Sequence, residues 1–139
     1  MASIRNHVTR EIATLESTTP VRDAARLMAE KNIGSVAVRE RGRIVGLVTE
    51  RDLVTTVLAR GADPGLAIRE AMRAGIPRVS ADAGEAEVAA RMREVGTRHL
   101  LVEESGEVVG VVSMRDIIQL MLDEKQYLIE QLHTYIGGR

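Results

Sequence analysis

The chain has 139 residues, 45% apolar and 28% charged, with a formal net charge of −1, which fits one domain or two small fused units of an ordinary globular protein. It has no cysteine, so disulfides, thiolate zinc sites and cysteine catalysis are excluded. Near-neutral charge, with two tyrosines as the only aromatic residues, argues against a nucleic-acid binder working by a basic field or by base stacking.

The amino-terminal stretch "MASIRNHVTREI" lacks the apolar core of a secretory signal, and no apolar run approaches the roughly 20 residues of a membrane span. A soluble, cytoplasmic protein without membrane association is expected. In chain order, a short apolar strand is predicted over Ile12 to Leu15, then a turn, then a helix from Pro20 to Lys31. Thr19 is placed as its N-cap, with proline at the first helical position. Two strands follow, "GSVAV" and "RIVGLVT", joined by a tight turn in which Gly42 takes positive φ, and a helix begins after Thr49. The stretch "RGADPG" reads as a linker.

The order then recurs. A strand is predicted over Ile76 to Val79, a helix opened by a capping box of Asp82 with Glu85, and two strands turning at Gly106. A helix after Ser113 runs into a tail with an apolar stripe of Leu120, Met121, Tyr127, Leu128, Leu132, Tyr135 and Ile136, ended by Gly137-Gly138.

Sliding the chain by 64 positions aligns its halves without a gap. Ile4 falls on Ile68, Met28 on Met92, Gly42 on Gly106 and Gly46 on Gly110. "GLVTERD" falls on "GVVSMRD". The chain is a duplication. Each unit reads β-α-β-β-α, an α/β (α+β) arrangement. A unit of about 60 residues buries too little surface to stand alone, so the two should pack as one body. The division is residues 1–59, linker 60–66, residues 67–122, and a C-terminal helical extension 123–139.

This arrangement resembles a tandem pair of cystathionine-β-synthase (CBS) domains, a Bateman module. The likeness rests on the gapless duplication, the strands "IGSVAV" and "TRHLLV", and the two strand-end motifs. It implies a pseudo-two-fold module that binds AMP, ADP, ATP or S-adenosylmethionine as a regulatory ligand in clefts between the repeats. It also implies a homodimer that signals, for example in energy sensing, to a regulated protein the sequence does not identify. No obligatory cofactor is implied. By matched position the likeness nominates Thr49, Arg51 and Asp52 in one cleft, and Ser113, Arg115 and Asp116 in the other. The Asp would hold the ribose hydroxyls, the hydroxyl residue would lie beside ribose and phosphate, and the Arg near the phosphates. Adenine contacts would come from Ile12 and Ala13 for the Asp116 cleft and from Ile76 and Pro77 for the Asp52 cleft. Arg98, whose counterpart is Gly34, is expected to furnish the Asp116 cleft for phosphate.

Chemistry agrees with these roles, since a carboxylate can accept both hydroxyls of a cis-diol. The plainer reading is helix capping: Thr49 and Ser113 are good N-caps, with Asp52 and Asp116 as first-turn acids. The two readings are compatible. His7, His99 and His133 stand without metal-ligand or triad spacing, so neither a metal site nor catalysis is expected. The competing functional class is an interaction or dimerisation module with empty clefts.

Overall fold

The computed structural model describes residues 3–73, 75 and 77–137. The repeat appears as two three-stranded sheets, each with a parallel and an antiparallel pair: β1 (Thr14–Glu16), β2 (Ser35–Glu40) and β3 (Arg43–Thr49) in one, β4 (Arg78–Ser80), β5 (His99–Glu104) and β6 (Glu107–Ser113) in the other. Helices α1 (Val21–Lys31) and α3 (Glu85–Val95) make the crossovers. Helix α2 (Glu50–Asp52) runs on as a π-helical stretch, Leu53–Leu58, and α4 is Met114–Gly137. Both hairpins close in two residues with positive φ, Arg41-Gly42 and Ser105-Gly106, the type I′ geometry that matches strand twist.

The central strands are apolar at consecutive positions because both of their faces are covered. Val36 and Val38 point into the core under α1, while Ala37 points the other way, onto the second sheet. Leu100 and Val102 do the same under α3, with Leu101 turned inward. Ala37, Leu47, Leu101 and Val111 form the layer that joins the repeats, flanked by Ile12, Ile44 and Val108.

Each repeat's lead-in segment is exchanged. Ile4, in a 3-10 turn before the first repeat, is wholly buried in the core of the second; Ile68, its counterpart, is wholly buried in the core of the first. Thr9 extends the exchange by trading two backbone hydrogen bonds with Val111, both 2.9 Å. The sequence boundaries at 59 and 67 therefore do not bound the cores, because a packing swap leaves no mark on local periodicity.

Three local expectations are corrected. Pro20, not Thr19, flanks α1, in extended conformation. The helix's free N–H groups are satisfied by linker carbonyls, Val21 N–H to Leu66 O at 2.7 Å and Arg22 N–H to Pro64 O at 3.1 Å, so no side-chain cap is required. Gly84, not Asp82, flanks α3; Asp82 is drawn away by an ion pair with Arg5, and its N–H bonds Ser80 Oγ at 3.1 Å. The first strands begin at Thr14 and Arg78, later than expected, because pairing with β2 and β5 starts there.

The exchanged residues should behave as core of the opposite repeat. Ile4→Ala and Ile68→Ala are each expected to cost about 2–5 kcal/mol. In urea unfolding both variants should still melt in one transition; two separated transitions would show that the repeats fold independently.

Candidate functional site

The two strand ends carry the same local device. Thr49 Oγ1 accepts the Asp52 N–H at 3.2 Å, and Asp52 Oδ2 accepts the Thr49 N–H at 2.9 Å and its hydroxyl at 3.0 Å. In the second repeat, Ser113 Oγ accepts the Asp116 N–H at 3.1 Å, and Asp116 Oδ2 accepts the Ser113 N–H at 2.8 Å. Both are capping boxes, with Asp in the place usually taken by Glu or Gln. Capping accounts for one oxygen of each carboxylate. It does not account for the burial of Asp52, which is 5% exposed while Asp116 is half-buried.

What covers Asp52 is Arg73, which the sequence reading passed over. Its guanidinium donates to Val95 O at 2.8 Å and Gly96 O at 2.9 Å, the open end of α3, a favourable place for a cation. Its Nε lies 3.4 Å from Asp52 Oδ1, an ion pair without hydrogen-bond alignment. One side chain thus ties the strand end of repeat 1 to a helix end of repeat 2. The available sequence signal is that Arg73 falls on Thr9 in the repeat register. Thr9 spends its backbone on β6 instead.

Beside this tie lies a cleft of about 680 Å³, within the usual range for a small-molecule site. Thr49, Glu50 and Arg51 line one side, and Thr97, Arg98 and His99 face them. Ala89, Met92 and Met114 supply apolar wall, and Arg73 and Arg93 complete the cationic lining. Four arginines against one glutamate make the cleft strongly basic in a chain of near-neutral charge. Among the described residues the buried polar side chains are Ser17, Thr49, Asp52 and Thr97. Thr49 and Thr97 line the cleft, and Asp52 lies behind the lining, bonded to Thr49 and facing Arg73.

Arg98 therefore belongs to the wall facing Thr49 and Arg51, not with Asp116 as expected. Backbone pairing explains it: Met114 N–H bonds Arg98 O at 2.8 Å, which holds residues 97–99 at the end of β6 and turns them toward the first repeat. Asp52, Ser113, Arg115 and Asp116 are all outside this lining, although Thr49, Arg51 and Met114 are in it. Ile12 lies in the layer between the sheets; Ala13 O accepts the Ala37 N–H and Pro77 O the Leu101 N–H, both at 2.8 Å. None of these three lines the cleft. Ile76 lies outside the described residues. Those residues include no group of three or more His, Asp or Glu side chains able to hold a metal, and no helix long and apolar enough to cross a membrane.

Burial holds the His99 imidazole below its ordinary value of 6.5, against the opposing pull of Glu50, Asp116 and Asp52. The unfolded chain takes up this proton near the ordinary value and the folded chain only at lower pH. His99 thus leaves stability unchanged above that value and lowers it as pH falls through it, by at most about 1.4 kcal/mol per pH unit. Urea midpoints between about pH 7.5 and pH 5.5 should fall less in His99→Asn than in the parent chain. Arg73→Ala should destabilise the fold by on the order of 2 kcal/mol, because charged donors to two carbonyls are lost. Arg73→Lys, which cannot span both carbonyls, should recover only part of that loss in the same unfolding measurement.

The CBS domain family model matches residues 4–59 and again residues 68–123. An uncharacterized protein of Methanopyrus kandleri is 35% identical over 114 residues, 80% of this chain, and this chain spans 58% of that relative's length. A solved protein with CBS domains from Burkholderia ambifaria superposes with a TM-score of 0.78 at 33% identity, covering 82% of this chain and 85% of its own. A hexameric CBS-CP12 protein from bloom-forming cyanobacteria superposes at 0.76 with 28% identity, covering 85% of this chain and 70% of its own. With both halves of the duplication matched and the fold shared, the chain belongs to the CBS-domain family as a tandem pair of CBS domains.

Proposed function

We propose that this CBS pair is a regulatory module that binds an adenosine-containing ligand, AMP, ADP, ATP or S-adenosylmethionine, between its repeats and passes its binding state to a partner protein. CBS domains are in general regulatory modules. The observation that supports the finer reading is one cleft with four arginines in its lining, two of whose lining residues, Thr49 and Arg73, adjoin the buried carboxylate of Asp52. With Arg73 drawn aside, Asp52 Oδ1 can accept from ribose hydroxyls while Oδ2 stays in the capping box, and the arginines suit phosphates. The proposal is binding without turnover. The ligand acts by favouring one relative packing of the repeats over another. Association into a homodimer is part of the proposal, and the hexameric CBS-CP12 relative gives precedent for assembly.

A second reading, an interaction module whose clefts stay empty, draws support from the exposed apolar side chains of α4. It expects the affinity for a protein partner to be the same with and without nucleotide.

Thermal stability should be followed during titration with each of the four ligands. A ligand at 100 times its Kd should add about 2.7 kcal/mol. No shift with any of them at millimolar concentration overturns the nucleotide reading. Because Asp52 holds Thr49 and faces Arg73, both of which line the arginine-rich cleft, Asp52→Asn should weaken binding more than Asp116→Asn in isothermal titration. Equal losses would remove the ranking of the clefts.

A further inference from the structure

Helix α4 is 24 residues long, yet it buries only Ile117 and Leu120 against its own chain. Beyond them the row that faced the core turns polar, while an outward row continues: Ile118, Met121, Lys125, Leu128, Leu132 and Tyr135. Every apolar member of this row is about half exposed or more. Leu122 and Ile129 lie beside it, seven residues apart, and are exposed as well. The spacing is three, four, three, four, three. That is a 3.5-residue period, and it faces a partner helix running nearly along the same axis rather than a sheet or a globular surface. A helical extension of this length without tertiary cover is marginal in water.

We propose that the outward row of α4 is an antiparallel two-helix seam whose occupant is α4 of a second copy of this chain. Two features select the occupant and its direction. The spacing pattern reads the same forwards and backwards, so the row fits its own reverse: Ile118 meets the second copy's Tyr135, Met121 meets Leu132, and Lys125 meets Leu128. Lys125 is the one charge in the row. In a parallel, in-register pair two ammonium groups would face each other across an apolar seam, a costly arrangement. Reversed, each Lys125 lays its stem on leucine and carries its ammonium out to solvent at the edge of the seam. The inference rests on the homodimer part of the proposed function and is independent of nucleotide binding.

The absence of cysteine makes the register directly readable. Sedimentation of the full chain should show a dimer, and Leu128→Glu with Leu132→Glu should weaken it by roughly a hundredfold or more. Both positions are exposed in the single chain, so the urea midpoint of a dilute sample should stay unchanged. Under mild oxidation Met121→Cys and Leu132→Cys should each remain uncrosslinked alone and crosslink when mixed. Crosslinking of Met121→Cys by itself overturns the antiparallel register. A dimer that survives the double glutamate variant overturns the seam and leaves the homodimer standing. A wild-type chain that is monomeric at about 100 µM overturns both.

Discussion

The reciprocal burial of Ile4 and Ile68 is the constraint on which the rest of this molecule depends. Each repeat has a small three-stranded sheet, a crossover helix and a second helix after the hairpin, too little to enclose a core. The isoleucine that completes each core arrives from the other repeat's lead-in. The sheets are then held face to face through Ala37, Leu47, Leu101 and Val111, and their strand ends, where Thr49 and Ser113 sit, are brought toward the same midline. The cleft is a consequence of this exchange. It lies where two similar surfaces meet without filling the space between them.

Within that frame Asp52 has two roles that do not compete. Its Oδ2 closes the capping box that starts α2, and its Oδ1 faces Arg73. A cap alone would sit at the surface, as caps ordinarily do. The burial of this one follows from Arg73 reaching over from the inter-repeat segment to the end of α3. Under the proposed function, a ligand that engages Asp52 would have to share it with Arg73 or displace the arginine from Val95 and Gly96, and would so act on a contact that spans both repeats. This gives a physical route from occupancy to the relative position of the repeats, in the sense of differential binding to two arrangements. The Asp116 strand end has Thr9 at the matching place, bonded through its backbone to Val111, in place of an arginine.

The errors of the sequence reading have a common origin. Thr19 and Asp82 carry good capping chemistry, but the helix starts at Pro20 and Gly84 receive their order from neighbouring backbone and from Arg5. Matched position in the family resemblance assigns Arg98 to the Asp116 cleft, whereas in the structure it lines the cleft that Thr49 and Arg51 also line. Arg73 carried no motif at all; its position matters only because the end of α3 lies within reach. Each is a contact between segments distant in sequence, and local pattern is silent about those.

The sequence by itself determined the duplication, the β-α-β-β-α order, the tight hairpin turns with positive φ at Gly42 and Gly106, the helix starts after Thr49 and Ser113, and the membership of a family built on that unit. These depend on neighbours a few residues apart, through periodicity, backbone dihedral preference and capping. Only the tertiary structure decided which repeat each lead-in completes, which carboxylate is buried, and which arginines line the cleft beside it. Those depend on how two nearly equivalent surfaces are placed against each other. A duplicated sequence states the equivalence of its halves, and the packing of the halves is what makes them unequal.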